Sequence, residues 1–272
     1  MWKQLKKAGG PLQVGTGVLR DLRIYGSAQG IWVDKGVTGS VSPDGRGVAV
    51  SLFCATGSAG TRIFRDGVMY NYSRTARSTG RDMQEVNAVK NAGLLGLPLF
   101  FITATGAERA LRDVRVGWVE DWDDASGVFL VVFGNMKRPI ACVAEERGRL
   151  FPRTGALPEH SGSSVGRRAS EVRFEFNTLK RCGFQCAVCN IAVPQLLSAV
   201  RLRGKRQTVS DDPTDGLLLC ALHRAAYEAK LFDIDRDTLL ITTPPNSPDS
   251  ASLGIIGTSA GAVCLRGVDR NL

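Results

Sequence analysis

Residues 180–235 read KRCGFQCAVCNIAVPQLLSAVRLRGKRQTVSDDPTDGLLLCALHRAAYEAKLFDID, and the fold of the chain turns on this stretch. It holds two ligand pairs of the same form, Cys186-x-x-Cys189 and Cys220-x-x-His223, separated by about thirty residues. A two-residue gap puts both members of a pair on one turn, so their side chains converge about 2.0–2.3 Å from a single ion. Three thiolates and a neutral imidazole suit the borderline softness of zinc, and an ion with four protein ligands is structural. The competing reading, unrelated core cysteines, has to treat two matched pairs as coincidence. Cys182 stands just before the first pair, as a rival ligand or a buried thiol.

The other cysteines, Cys54, Cys142 and Cys264, lie in the apolar contexts SLFCA, PIACVA and AVCLR and read as buried thiols. Seven is an odd number, and the start MWKQLKKAGG has a basic flank with no apolar run behind it. A secretory signal and a disulfide framework are therefore not expected. Nor does any run approach the eighteen apolar residues of a membrane span. With 272 residues, 43% hydrophobic and a mean hydropathy of −0.04, the chain has the apolar content for a globular core. His160 and His223 are its two histidines, so a mechanism needing three is excluded.

Working outward, residues 170–182 (SEVRFEFNTLKRC) place Val172, Phe176 and Leu179 on one helical face, with Ser170 as the cap. LLLCALHRAAYEAKLF starts as a short strand and continues as a helix. Upstream, 30–143 reads as a mixed-sheet domain. VAVSLFC is a strand, and TRIFRDGVMYNY is two strands joined at Asp66-Gly67. GRDMQEVNAVKNAGLLG is a helix, with Asp82 as cap and Gly93 and Gly96 at its end. LPLFFITA, DVRVGWVEDW and GVFLVVF are further strands. Residues 144–169 crowd Pro, Gly, Ser and Arg and read as a linker containing His160. Residues 1–29 read as an N-terminal extension, and 244–272 as a loosely packed or partly disordered tail. The fold class is α+β in two domains.

Net charge is +9 at pH 7, and it is uneven. Residues 1–136 carry +4, 137–230 carry +7 and 231–272 carry −2. The excess falls on the zinc stretch and its approach, as on a surface that meets phosphate. Arg201, Arg203, Lys205 and Arg206 make one basic cluster, and Arg74, Arg77 and Arg81 another. The bland reading of each is a solvated loop, and Arg81 can equally be an exposed residue at a helix start.

The stretch 170–243 resembles the C-terminal domain of HNH endonucleases of the modification-dependent restriction type. In that family a CxxC knuckle is followed by a strand ending in Ala-His-Ile, a loop to Asn-Gly-Leu, and a Cys-x-x-His-His pair opening the last helix. The resemblance implies a zinc-bound ββα fold in which the first His is general base, the Asn orients it and the last His binds a catalytic cation. Here the three catalytic positions carry Arg201, Asp215 and Arg224. An arginine cannot act as a general base, because its pKa exceeds about 12, and it does not ligate a cation. Residues 30–134 resemble SRA-like and PUA-like sensor domains, which hold a modified base among aromatic rings. Trp32, Phe64, Tyr70, Tyr72, Trp118 and Trp122 are the stacking candidates, and their bland reading is core or cross-strand packing.

These resemblances imply a protein of the cytoplasm, associated with the nucleoid, that binds double-stranded DNA, base-modified or not. They imply structural Zn²⁺, weak or absent cleavage, and no membrane partner. A homodimer stays open. An active nuclease built on Asp215 with Asp211 or Asp212 would need Mg²⁺ or Mn²⁺. A zinc interaction module with no nucleic-acid role is the third reading.

Overall fold

A computed structural model describes residues 1–26, 30–42, 45–55, 60–73, 79–105, 110–134, 170–202, 215–235 and 238–260. The chain divides into two compact units, Met1–Arg167 and Arg168–Leu272. Both are mixed α and β.

Unit 1 is built on one twisted sheet. Its strands are β1 (Val14–Gly15), β2 (Ile31–Val33), β3 (Ala49–Cys54), β4 (Arg62–Ile63), β5 (Gly67–Asn71), β6 (Pro98–Ala104), β7 (Leu111–Asp123) and β8 (Val128–Phe133). They lie in the order β2-β3-β6-β7-β8-β5-β4, with β1 on β7, and only β3 and β6 run parallel. The short helix α3 (Lys35–Thr38) follows β2, and the crossover that the parallel pair needs includes helix α4 (Thr79–Leu95). The Asp66-Gly67 signal does join two antiparallel strands, Met69 facing Arg62 across them.

The apolar run of β6 explains the layering. Leu99 and Phe101 face a core shared with Val86, Val89 and Ala92 of α4, while Phe100 and Ile102 face the opposite side. A sheet buried on both faces needs a second cover. That cover is the segment expected as an extension. Leu5 of α1 (Trp2–Lys7), Leu19 of α2 (Thr16–Asp21), Ile24 and Tyr25 pack on Phe53, Phe100, Ile102 and Val114. Main-chain bonds hold it there: Val114 N–H donates to Pro11 O at 2.9 Å, and Thr16 N–H to Ala110 O at 3.0 Å. Buried Ser51 Oγ–H donates to Ile24 O at 2.7 Å.

The expected elements need two further corrections. Helix α4 begins at Thr79, so Asp82 sits within its first turn rather than before it. Gly93 lies inside the helix, where a Cβ would stand 3.2 Å from Val119, and Gly96, at φ 59°, follows the helix end.

Unit 2 has helix α5 (Glu171–Cys182), hairpin β9 (Leu197–Arg201) and β10 (Gly216–Cys220), helix α6 (Ala221–Glu228), and the small pair β11 (Asp233–Ile234) and β12 (Ile241–Thr242). Ser170 Oγ caps α5 by accepting from Arg173 N–H, and Gly183 in the left-handed region ends it. Phe174 is buried along with Val172, Phe176 and Leu179, because α5 lies on the hairpin over more than one stripe. Residues 244–260 are not a loose tail. Ile256 N–H donates to Val188 O at 2.8 Å, Ala260 N–H to Leu239 O at 2.8 Å, and Ile255 and Ala260 are buried.

Leu19→Ala tests the place of the first segment. It should cost about 2–5 kcal/mol in urea unfolding of unit 1, as removal of a buried leucine does, whereas a detached extension would cost nothing.

Candidate functional site

The two cysteine pairs meet because three separate elements end at one point. The knuckle after α5 is turned by Gly183 and by Phe184 at φ 60°. It is closed by Cys186 N–H donating to Ile191 O at 2.9 Å, and Ala187 N–H donating to Leu218 O at 2.7 Å ties it to β10. Cys220 ends β10 and is the N-cap of α6, which carries His223 in its first turn.

The four donor atoms of Cys186, Cys189, Cys220 and His223 all lie within 4.8 Å of one another. Cys186 Sγ stands 3.7 Å from His223 Nδ1, Cys189 Sγ 4.0 Å from Cys220 Sγ, and Cys220 Sγ 3.1 Å from His223 Nδ1. A tetrahedral zinc ion with the usual bond lengths requires S···S of about 3.8 Å and S···N of about 3.6 Å. The set therefore has the size of a zinc site. Its donor chemistry fits as well. His223 Nε2 lies 3.0 Å from Leu253 O, and a carbonyl can only accept, so Nε2 carries the proton and Nδ1 turns its lone pair to the sulfurs. Cys220 N–H donates to Cys186 Sγ at 3.3 Å, which stabilises thiolate charge.

Burial works against leaving this site without a cation. Desolvation pushes the Cys186 thiol up to about 12, opposed by the Val188 and Cys220 N–H groups and reinforced by Cys189. Burial also holds the His223 imidazole below its ordinary range, against the Leu253 carbonyl, which favours the charged ring. The neutral imidazole is the form that ligates, so folding and zinc binding select the same state.

The three residues that the sequence resemblance singles out lie close by in the chain but differ in surroundings. Arg201 ends β9 opposite Gly216, and its guanidinium lies over the Phe174 ring, 3.9 Å from the centroid. Asp215 precedes β10, and its carbonyl accepts from Leu202 N–H at 2.8 Å. Arg224, on the exposed side of α6, donates through Nε to Glu228 Oε1 at 2.8 Å. Arg203, Lys205, Arg206, Asp211 and Asp212 lie outside the described residues, as do Arg74, Arg77, His160, Cys142 and Cys264.

In unit 1 the aromatic candidates separate. Tyr70 belongs to the core: it is 6% exposed, its hydroxyl donates to Phe53 O at 3.0 Å, and it meets Phe101 edge-on. It offers no face for stacking, because strand alternation turns it inward toward α4. Tyr72 packs on Phe129 and donates to Asp124 Oδ1 at 2.8 Å, which together with burial raises its pKa. Lys90 Nζ sits over the rings of both Tyr72 and Trp122. Trp118 donates its indole N–H to Gly134 O at 3.2 Å. Phe64 lies beneath the Arg62 guanidinium. Trp32 donates its indole N–H to Arg23 O at 3.3 Å and packs with the cover formed by residues 1–26, and it also borders a cleft of about 460 Å³ between β2 and the start of α4. Lys35, Arg46, Arg81, Gln84 and Glu85 line the same cleft, and Arg81 pairs with Glu85 at 3.7 Å. Sequence reading named Trp32 and Arg81 but missed Lys35, Arg46 and Glu85, which no local motif marks. It also missed Leu253, which contributes only a main-chain oxygen.

No protein-family model matches the chain, and no curated protein matches it. Among solved structures it is similar to one described as "Modification dependent TagI restriction endonuclease", at 15% identity and a TM-score of 0.33. The match covers 92% of this chain and 85% of that one. Among the described residues no helix is long and apolar enough to cross a membrane.

Two outcomes follow from the metal geometry. Zinc retention should fall as pH drops below about 6.5, since the unfolded histidine takes up a proton that the folded site resists. A chromophoric chelator added between pH 7.5 and 5 reads this, and unchanged retention at pH 5 would contradict it. A chain ending at Thr243 loses the Leu253 carbonyl and should bind zinc on the order of 10- to 100-fold more weakly in competition titration.

Proposed function

We propose that this chain is a DNA-binding protein of the HNH restriction type, whose zinc-held ββα domain grips the DNA backbone without cutting it efficiently. The observation that carries the reading is Arg201. It ends β9, the position that the HNH resemblance assigns to the general base, in a hairpin followed by a helix around the Cys/His cluster. The residues at this position in the fold suit binding and not hydrolysis. A guanidinium cannot take a proton from water, yet it meets a phosphate oxygen pair with two parallel N–H donors. Arg224 cannot hold a catalytic cation, and Asp215 alone is one carboxylate where the family uses three groups. Cys186, Cys189, Cys220 and His223 would hold zinc with all four positions filled by protein, joining the knuckle to α6 and leaving no position for a reactive water.

Charge supports the same reading. Residues 137–230 carry +7, and the RLRGKR run begins at Arg201. Each phosphate contact releases condensed counterions, so such a surface binds DNA with a steep salt dependence. For unit 1 we assign the Trp32 cleft as the place where an extruded nucleotide is held. Lys35, Arg46 and Arg81 supply cations for a phosphate and Glu85 an acceptor within one cleft that Trp32 borders.

Zinc-loaded protein incubated with modified and unmodified plasmid in Mg²⁺ or Mn²⁺, with nicking and gel shift scored together, tests the reading. The expected result is a salt-sensitive shift without nicking, stronger on DNA carrying the recognised modification. Nicking that disappears with Asp215→Ala would replace it with an active, rearranged nuclease. No shift at low salt would leave a zinc interaction module.

A further inference from the structure

The segment that covers the second face of the unit 1 sheet also holds the charge excess of the first half of the chain. Residues 1–26 carry Lys3, Lys6, Lys7, Arg20 and Arg23 against Asp21, a net +4. Residues 27–136 carry eleven basic and eleven acidic side chains and balance to zero. The whole excess of residues 1–136 therefore sits on this cover. All five cations are exposed. Packing decides this, because Trp2 and Leu5 of α1 and Val18 and Leu19 of α2 are taken up by the sheet, with the Trp2 ring 6.2 Å from that of Phe100. Positions i and i+4 share one side of a helix, so with Leu5 turned in, Lys3 and Lys7 share the outward side of α1.

Two of the five are engaged. Lys6 Nζ lies over the Trp2 ring, 5.2 Å from its centroid, and Arg23 Nε pairs with Asp34 Oδ2 at 3.0 Å. The side chains of Lys3, Lys7 and Arg20 make no hydrogen bond, ion pair or ring contact among the described residues. Like charges gathered on one face repel and contribute nothing to folding. The chemistry of the partner follows from what the face lacks. Helix α1 exposes three lysines and Gln4, and α2 exposes Gly17, Arg20 and Asp21, none of them apolar. Protein interfaces centre on aromatic side chains and are depleted of lysine. A helix that lies on a membrane inserts an apolar face, and the Trp2 and Leu5 side of α1 is already packed on the sheet. A polyanion of regular spacing needs only cations. Lys3 and Lys7 stand about 6 Å apart along the helix axis, close to the rise over two phosphates of one DNA strand, about 3.4 Å each.

We infer that the outward face of α1 and α2 is a second DNA-backbone contact, carried by unit 1, in which Lys3, Lys7 and Arg20 meet phosphates. The inference rests on the DNA-binding reading above and extends it to a surface that reads no bases. Contacts of this kind hold the duplex in place and carry no sequence information. They act as point charges, so either basic side chain serves at each position.

The test is a salt titration of the full, zinc-loaded chain on a DNA duplex by fluorescence anisotropy. The triple variant Lys3→Gln, Lys7→Gln, Arg20→Gln should lower the log–log salt slope by about 2 to 3 and weaken binding on the order of 100-fold near 0.1 M salt. The exchange variant Lys3→Arg, Lys7→Arg, Arg20→Lys should keep the wild-type slope. A control, Arg65→Gln, Lys180→Gln, Lys230→Gln, removes three cations at other exposed positions and should leave the slope unchanged. Circular dichroism and zinc content check folding, and if the triple variant fails to fold, Lys7→Gln alone should lower the slope by about one. An unchanged slope in the glutamine triple, with wild-type binding intact, would overturn the face. An equal loss in the control would overturn it too, since net charge and not this face would then govern binding. Phosphatidylserine vesicles that bind the wild type and not the glutamine triple, beside an unchanged DNA slope, would reassign the face to a lipid surface. A wild-type chain that binds no DNA would overturn the proposed function, and the face with it.

Discussion

Unit 2 depends on bringing three sulfurs and one imidazole nitrogen within 4.8 Å of each other in a buried place. Without a cation this arrangement is unfavourable, because desolvation opposes thiolate charge and the neutral imidazole has only thiols to face. With a divalent ion the same desolvation strengthens every bond to the metal. The knuckle, the end of β10, the first turn of α6 and the returning segment 244–260 all take their positions from this point. The ββα unit is too small to hold them by apolar burial alone. The Leu253 carbonyl completes the site by setting which nitrogen of His223 is free, so a stretch with no metal ligand of its own belongs to the metal centre.

Unit 1 solves a different problem. A sheet whose central strands are apolar on both faces needs two covers, and α4 supplies only one. The first 26 residues supply the other. This leaves β2 at the sheet edge, where the start of α4 stands away from it and opens the Trp32 cleft.

The metal site was legible in advance because its ligands are side chains of fixed chemistry at fixed spacing. Cys186, Cys189, Cys220 and His223 converge as their intervals require. Helix α5, the Asp66-Gly67 hairpin and strands β3 and β6 were legible for a similar reason, since caps, turn residues and apolar periodicity are local signals. The aromatic candidates were not separable in this way. Tyr70 and Trp32 look alike along the chain, yet one is 6% exposed in the core and the other lines a cleft.

By itself the sequence determined the α+β class, the cysteine and histidine set that could hold zinc, and the basic character of residues 137–230. Only the tertiary structure decided that residues 1–26 cover a sheet and that 244–260 close the metal centre. It also decided that Arg201 lies on the Phe174 ring and that Arg181 donates to the Gly216 carbonyl. The physical reason is the range of the interactions. Ligand spacing, capping and turn formation act over a few residues and leave a mark in the local order of side chains. Main-chain acceptors such as Leu253 O carry no residue identity, and a second sheet cover depends on contacts between segments far apart in the chain.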